Sequence, residues 1–185
     1  MNIPTHLHHR RSIRLKGYDY SLAGAYFITI VTYKGEDIFG EIVDNESRLN
    51  QYGEIAKSEW FNTARLRPSV SLYPDEMVVM PNHIHGIMWI NQSHDVRGAA
   101  TLRPYPQSNG KLQNVAKNSL GAMVRGYKSA VTYRINAIRN SRGISVWQRN
   151  YYDHIIRDED ELRKIWDYID TNPQNWIEDR LHLSQ

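Results

Sequence analysis

Met77-Val-Val-Met-Pro-Asn-His-Ile-His-Gly-Ile-Met-Trp-Ile90 is the stretch from which both the fold and the chemistry of this 185-residue chain are read. Its β-branched and large apolar residues predict a buried strand. Side chains alternate between the faces of a strand, so His83 and His85 are expected on one face, with Ile84 and Ile87 turned to the other layer. Pro81 cannot donate to a ladder, which places a bulge or break just before the histidine pair. Neutral imidazole is a common ligand of divalent metals, and two held on one rigid strand are aimed at one spot before any ion arrives. Two histidines make an incomplete site, so the partners must come from elsewhere in the chain.

Working outward, Ala25-Tyr-Phe-Ile-Thr-Ile-Val-Thr-Tyr33 reads as a second buried strand, and Glu41–Val43 as a weaker one that ends in an Asp44-Asn45 turn. From Leu49 to Arg65 the apolar residues Leu49, Tyr52, Ile55, Ala56, Trp60 and Ala64 recur at helical spacing, and Pro68 ends the segment. Ser69–Tyr73 is a further strand. Residues 91–113 are rich in Gln, Ser, Asn, Gly and Pro without periodicity and read as a long mobile loop. Asn118-Ser119 caps a basic helix running to about Arg139, and residues 144–157 are extended or irregular. Asp158-Glu-Asp-Glu161 opens a last helix with a capping-box arrangement and acids in its first turn. Leu162, Ile165 and Ile169 form its inward stripe. Pro173 disfavours the α conformation at Asn172, puts that residue at the helix end, and can start a short second helix through Trp176. Helices packed on one face of an antiparallel sheet give an α+β fold of ferredoxin-like arrangement, with residues 1–185 expected as a single domain.

The composition narrows the function. There is no Cys, so disulfides, thiolate metal sites and cysteine nucleophiles are excluded, in keeping with a cytoplasmic protein. No apolar run approaches the ~18 residues of a membrane span. The net charge of +3 conceals segregation: residues 97–157 hold eleven Lys/Arg against one acid, Asp153. A block this one-sided points to a polyanion, most simply nucleic acid. Tyr105, Tyr127, Tyr133, Trp147, Tyr151 and Tyr152 lie among these cations, the mix in which unpaired bases stack while cations track phosphates.

Tyr168 and Asn172 are four apart, so both leave one helix face at neighbouring heights. An Asn carbonyl oxygen added to two histidines suits Mg²⁺ or Mn²⁺ better than structural zinc. A phenol of pKa ~10 is about one part in a thousand ionised at pH 7, a deficit of roughly 4 kcal/mol that a metal beside it can offset. Attack of that phenolate on a phosphodiester leaves a covalent tyrosyl ester. The ester retains the bond, so religation needs no nucleotide cofactor. On these grounds alone Tyr151 and Tyr152 are rival nucleophiles.

Several of these words resemble a known family. Pro81-Asn-His-Ile-His-Gly-Ile resembles the His-hydrophobe-His motif of the HUH one-tyrosine transposases, and Asp167-Tyr-Ile-Asp-Thr-Asn-Pro173 the tyrosine helix of their REP-associated branch. Arg11-Ser-Ile-Arg14, Gly24-Ala-Tyr-Phe27, Trp147-Gln and Tyr152-Asp-His154 fall where that branch has similar words, so the resemblance spans roughly residues 10–176. It implies an HUH nuclease fold in which His83 and His85 are metal ligands, Asn172 is the third ligand and Tyr168 is the nucleophile. The implied activity is metal-dependent cleavage and rejoining of single-stranded DNA near hairpins through a 5′-phosphotyrosine, by a monomer or homodimer. Arg14, Lys16, Arg125, Lys128, His154 and Arg157 are the candidate DNA contacts. Two rivals stand beside it. A histidine-triad hydrolase needs a third alternating histidine, and the series stops at two. A hairpin DNA- or RNA-binding module without activity would keep the basic block and lose only the chemistry.

Overall fold

The computed structural model describes Leu15, residues 17–91, residues 118–179 and residues 181–182. The chain runs β1 (Gly24–Val31), β2 (Gly40–Val43), β3 (Glu46–Leu49), α1 (Gln51–Leu66), β4 (Val70–Ser71), β5 (Met77–Val79), β6 (His83–Ile90), α2 (Leu120–Ile138), β7 (Tyr152–Ile156) and α3 (Glu159–Thr171). The loop expected over 91–113 lies outside the described residues, save Asn91, as do Arg14, Lys16 and Arg11-Ser-Ile-Arg14. No helix among the described residues is long and apolar enough to cross a membrane.

One antiparallel sheet organises these elements, with strands in the order β4, β6, β1, β7 and with β5 also paired to β6. The stretch Met77–Ile90 is therefore two strands divided at the expected break: Met80-Pro81-Asn82 turns the chain, and Val79 pairs back onto Ile84. Pro81, which has no N–H to give, sits in that turn, and its carbonyl accepts from the amides of Ile38 and Phe39. β2 and β3 form a separate hairpin in which Asp44 and Asn45 both take positive φ, 53° and 63°. That is the primed turn which the right-handed strand twist favours. The strand expected over Ser69–Tyr73 pairs only at Val70 and Ser71.

The sheet has two differently dressed faces. Tyr26, Ile28, Ile30, Ile84, Met88 and Ile90 meet Ile55, Ala56 and Trp60 of α1 and Leu120, Met123, Val124, Tyr127, Val131 and Ile135 of α2 in the main core. Between them Gly86 is required: a Cβ there would stand 2.6 Å from Cζ2 of Trp60. The two long helices thus share one face, as expected. α3 takes the other face, where Ile169, with Leu162 and Ile165 beside it, packs on Ala25, Phe27, Ile87 and Ile156. Ile87, expected beside Ile84, belongs to this second cluster, because two residues beyond His85 it must share that histidine's face.

α3 begins as its sequence predicts. Asp158 Oδ1 accepts the Glu161 amide at 2.8 Å, and Glu161 reaches back to the Arg157 amide at 2.8 Å. At the other end Asn172 is the cap, but it keeps α geometry (φ −59°, ψ −41°) despite the proline after it. Its carbonyl and that of Thr171 both accept the Asn175 amide, so the chain keeps turning. The short second helix is a single 3-10 turn at Trp176–Glu178 rather than a helix begun at Pro173.

Candidate active site

His83 and His85 stand side by side on the α3 face of β6, ring centroids 4.5 Å apart, at 0% and 2% exposure. Each is held by its Nδ1. Asn82 Oδ1 lies 2.7 Å from His83 Nδ1, and Thr29 Oγ1, across the ladder on β1, lies 2.8 Å from His85 Nδ1. Asn82 is itself fixed, since its Nδ2 donates to the Leu181 carbonyl at 2.9 Å. Its oxygen can only accept, so His83 carries its proton on Nδ1 and leaves the Nε2 lone pair free. Burial holds the His83 pKa down to about 4 against the opposing pull of Asp179 and Asn172, and burial with the adjacent His83 holds His85 well below the usual imidazole range. Both rings are neutral at pH 7, the state in which imidazole binds a metal.

α3 delivers the other groups. The Tyr168 hydroxyl lies 3.2 Å from His85 Nε2, with its ring edge-on to Phe27 and 44% exposed. One turn later Asn172 is buried, and its Nδ2 donates to Asp179 Oδ2 at 3.3 Å. Asp179 completes the cluster: ligand atoms of His83, His85 and Asp179 lie within 4.8 Å of one another. Burial raises the Tyr168 pKa, the Asp179 carboxylate raises it further, and Asn172 pulls slightly the other way. The phenol is thus harder to ionise here than in water, and a cation held beside it would offset that.

Two buried atoms test whether a metal fits. Among the described residues, His83 Nε2 and Asn172 Oδ1 are each without a hydrogen-bond partner, although buried polar atoms are ordinarily satisfied. Two imidazole nitrogens, one carboxylate and one amide oxygen form a mixed set suited to Mn²⁺ or Mg²⁺. The residues fit the ion.

Beyond the structure itself, no protein-family model matches the chain. It is 42% identical over 177 residues to an uncharacterized protein of Haemophilus influenzae, covering 96% of this chain and 95% of that one. It is 27% identical over 159 residues to a second protein of that organism, provisionally assigned as a REP-associated tyrosine transposase, covering 84% of this chain and 73% of that one. A solved REP-associated tyrosine transposase bound to a REP hairpin shares the fold, with a TM-score of 0.54 at 17% identity over 88% of this chain and 72% of that one. The chain is similar in sequence and in fold to REP-associated tyrosine transposases.

Of the residues singled out in the sequence, the structure gathers four, His83, His85, Tyr168 and Asn172. His154 stands apart, 2.6 Å from Glu161 at the start of α3. Arg157 is exposed and gives its amide to the same carboxylate. Arg125 and Lys128 lie on α2, behind the sheet from the histidines. The Lys128 ammonium donates to the Gln148 and Asn150 carbonyls at 2.5 and 2.9 Å, so it holds a loop. Asp179, Thr29 and Asn82 were missed as site residues. Nothing in the spacing separates Asp179 from Glu178 or Asp170. Thr29 was readable only once the register placed it opposite His85.

Proposed function

We propose that this chain nicks and rejoins single-stranded DNA near hairpins, with Tyr168 as nucleophile and His83, His85, Asn172 and Asp179 as holders of one divalent cation. The observation that carries the reading is the Tyr168 hydroxyl 3.2 Å from His85 Nε2, beside two buried polar atoms that lack partners among the described residues. Bound Mg²⁺ or Mn²⁺ supplies Lewis-acid polarisation of the phosphate and an offset for the raised pKa of the phenol. Thr29 and Asn82 hold the imidazoles, and Phe27 sets the plane of the Tyr168 ring. In the reaction Tyr168 loses its proton and its oxygen bonds to phosphorus. The bond from phosphorus to the 3′ oxygen breaks, and that oxygen leaves as a hydroxyl with a proton. The resulting 5′-phosphotyrosine conserves the ester, so attack by a 3′-hydroxyl rejoins the strand.

The hairpin is proposed from the solved relative, which is bound to a REP hairpin. Residues 1–185 are proposed to act as one nuclease domain, with Arg14, Lys16, His154 and Arg157 among its DNA contacts; Arg125 and Lys128, behind the sheet and with Lys128 holding a loop, are not retained. The test mixes the protein and Tyr168→Phe with labelled single-stranded hairpin oligonucleotides from the genomic flanks, in Mn²⁺ or in EDTA, on denaturing gels. A metal-dependent covalent band absent from the variant is expected. A band that survives in the variant refutes Tyr168, and binding without any band favours the module without activity.

A further inference from the structure

The floor of the candidate site does not end at Thr29. Register places Thr29 opposite His85 on β6 and opposite Tyr152 on β7, so all three side chains stand in one row on the face that α3 partly covers. Two strand spacings put the Tyr152 backbone about 10 Å from that of His85. β7 is the outer strand of the sheet. Tyr152 is 53% exposed, and among the described residues its ring and hydroxyl meet no partner. The neighbouring tyrosines differ: Tyr151 packs against the main core and Tyr127 is buried in it.

Exposed cations are available at both ends of this strand and on α3 to follow a phosphate chain. Arg149 and Arg157 are exposed on either side of β7, and Lys164 is exposed one turn before Tyr168, on that residue's side of α3. Two acids share that side: Glu161 is occupied by His154 and the Arg157 amide, and Asp160 pairs with Arg163 at 3.6 Å. Asp153 stands opposite Ile28 and so faces the other layer. An open ring on an outer strand, in line with the histidines, is what an unpaired base stacks upon.

We propose that Tyr152 is a base-stacking platform for the single strand that leads to Tyr168, and not a second nucleophile. The inference rests on the reading of the chain as a single-strand DNA nuclease. Tyr168, not Tyr152, meets the histidine pair.

The experiment uses the full chain in EDTA, so that no cleavage intervenes. Hairpin oligonucleotides with single-stranded flanks carry 2-aminopurine at successive flank positions, and both fluorescence quenching and Kd by anisotropy are read for wild type, Tyr152→Ala and Tyr152→Phe. Tyr152→Ala is expected to bind about 5- to 150-fold more weakly and to lose quenching at one or two adjacent positions. Tyr152→Phe should bind within about twofold of wild type, keep the quenching, and still form the covalent band in Mn²⁺. Unchanged binding and quenching in Tyr152→Ala, or a defect in Tyr152→Phe equal to that of Tyr152→Ala, overturns the platform alone. Failure of the wild type to bind any of these oligonucleotides overturns the functional reading and the platform with it.

Discussion

Thr29→Val removes one oxygen and little volume, and it interrogates the whole site. Thr29 is buried, and its hydroxyl is the only described partner of His85 Nδ1, at 2.8 Å. The valine side chain has nearly the same shape, so the strand should persist, but His85 Nδ1 is left in an apolar wall. An unsatisfied buried polar atom costs about 1–3 kcal/mol, which sets the expected loss of folding stability. Without Thr29 the neutral ring is free to carry its proton on Nε2, where the Tyr168 oxygen 3.2 Å away can accept it, while Nδ1 stays a bare buried acceptor. That proton then occupies the lone pair a metal needs. Loss of an outer partner to a ligating histidine lowers metal affinity about 10- to 100-fold, or about 1.4–2.8 kcal/mol. Titration calorimetry with Mn²⁺ reads the affinity, and ¹⁵N shifts of the metal-free protein read the tautomer. Thr29→Ser keeps the hydroxyl and should behave as wild type. If Thr29→Val binds Mn²⁺ as tightly as wild type with His85 still protonated on Nδ1, the hydroxyl does not orient the ring and the argument fails.

Three further outcomes are expected. Gly86→Ala drives a methyl into the Trp60 indole at 2.6 Å and should lower unfolding stability by about 1–3 kcal/mol in urea; no change in the midpoint would show that the indole moves freely. Asp158→Ala deletes the bond that caps α3 and should cost about 0.5–2 kcal/mol, with hydrogen exchange rising in the first turn of that helix while β6 stays protected. Glu161 titrates differently in the two states: burial raises its pKa, but the Arg157 amide and His154 outweigh burial and leave it below the ordinary carboxylate value of 4.5. A carboxylate depressed in the folded state contributes stability above its unfolded pKa and loses it as pH falls through the folded one. The stability of wild type should therefore drop more steeply than that of Glu161→Gln below about pH 4.5, and parallel curves from pH 6 to pH 3 would contradict the assignment.

Much of this architecture was legible in the chain because its signals are local. The run at 25–33, the apolar spacing from Leu49 to Arg65, the acidic cap at Asp158 and the proline break at Pro81 each became an element or a boundary. The histidine pair was legible for the same reason, since alternation on a strand needs no knowledge of neighbours. What was hidden depends on contacts distant in sequence. Nothing at 159–171 states that α3 crosses to the opposite face from α1 and α2. Nothing local marks Asp179 as the acid that folds back toward His83. The basic block at 97–157 is real in composition, yet its α2 portion is divided by the sheet from the histidines, so charge counted along a chain does not give charge around a site. Asn172 kept α geometry before a proline because the carbonyls of the last turn still had an amide to receive.

The contact between Gly86 and Trp60 also fixes a length. Alternation tells a strand which face is inward, but it cannot distinguish one registry from another two residues away, for both bury the same kind of side chain. Such a slip of β6 would carry the imidazoles about 6.6 Å along the strand, out of reach of Tyr168. Against the indole, however, only position 86 is bare; Ile84 or Met88 in its place would collide. The glycine that closes the histidine motif thus works as a ruler mark read from behind the sheet, and it tells the strand where to stop.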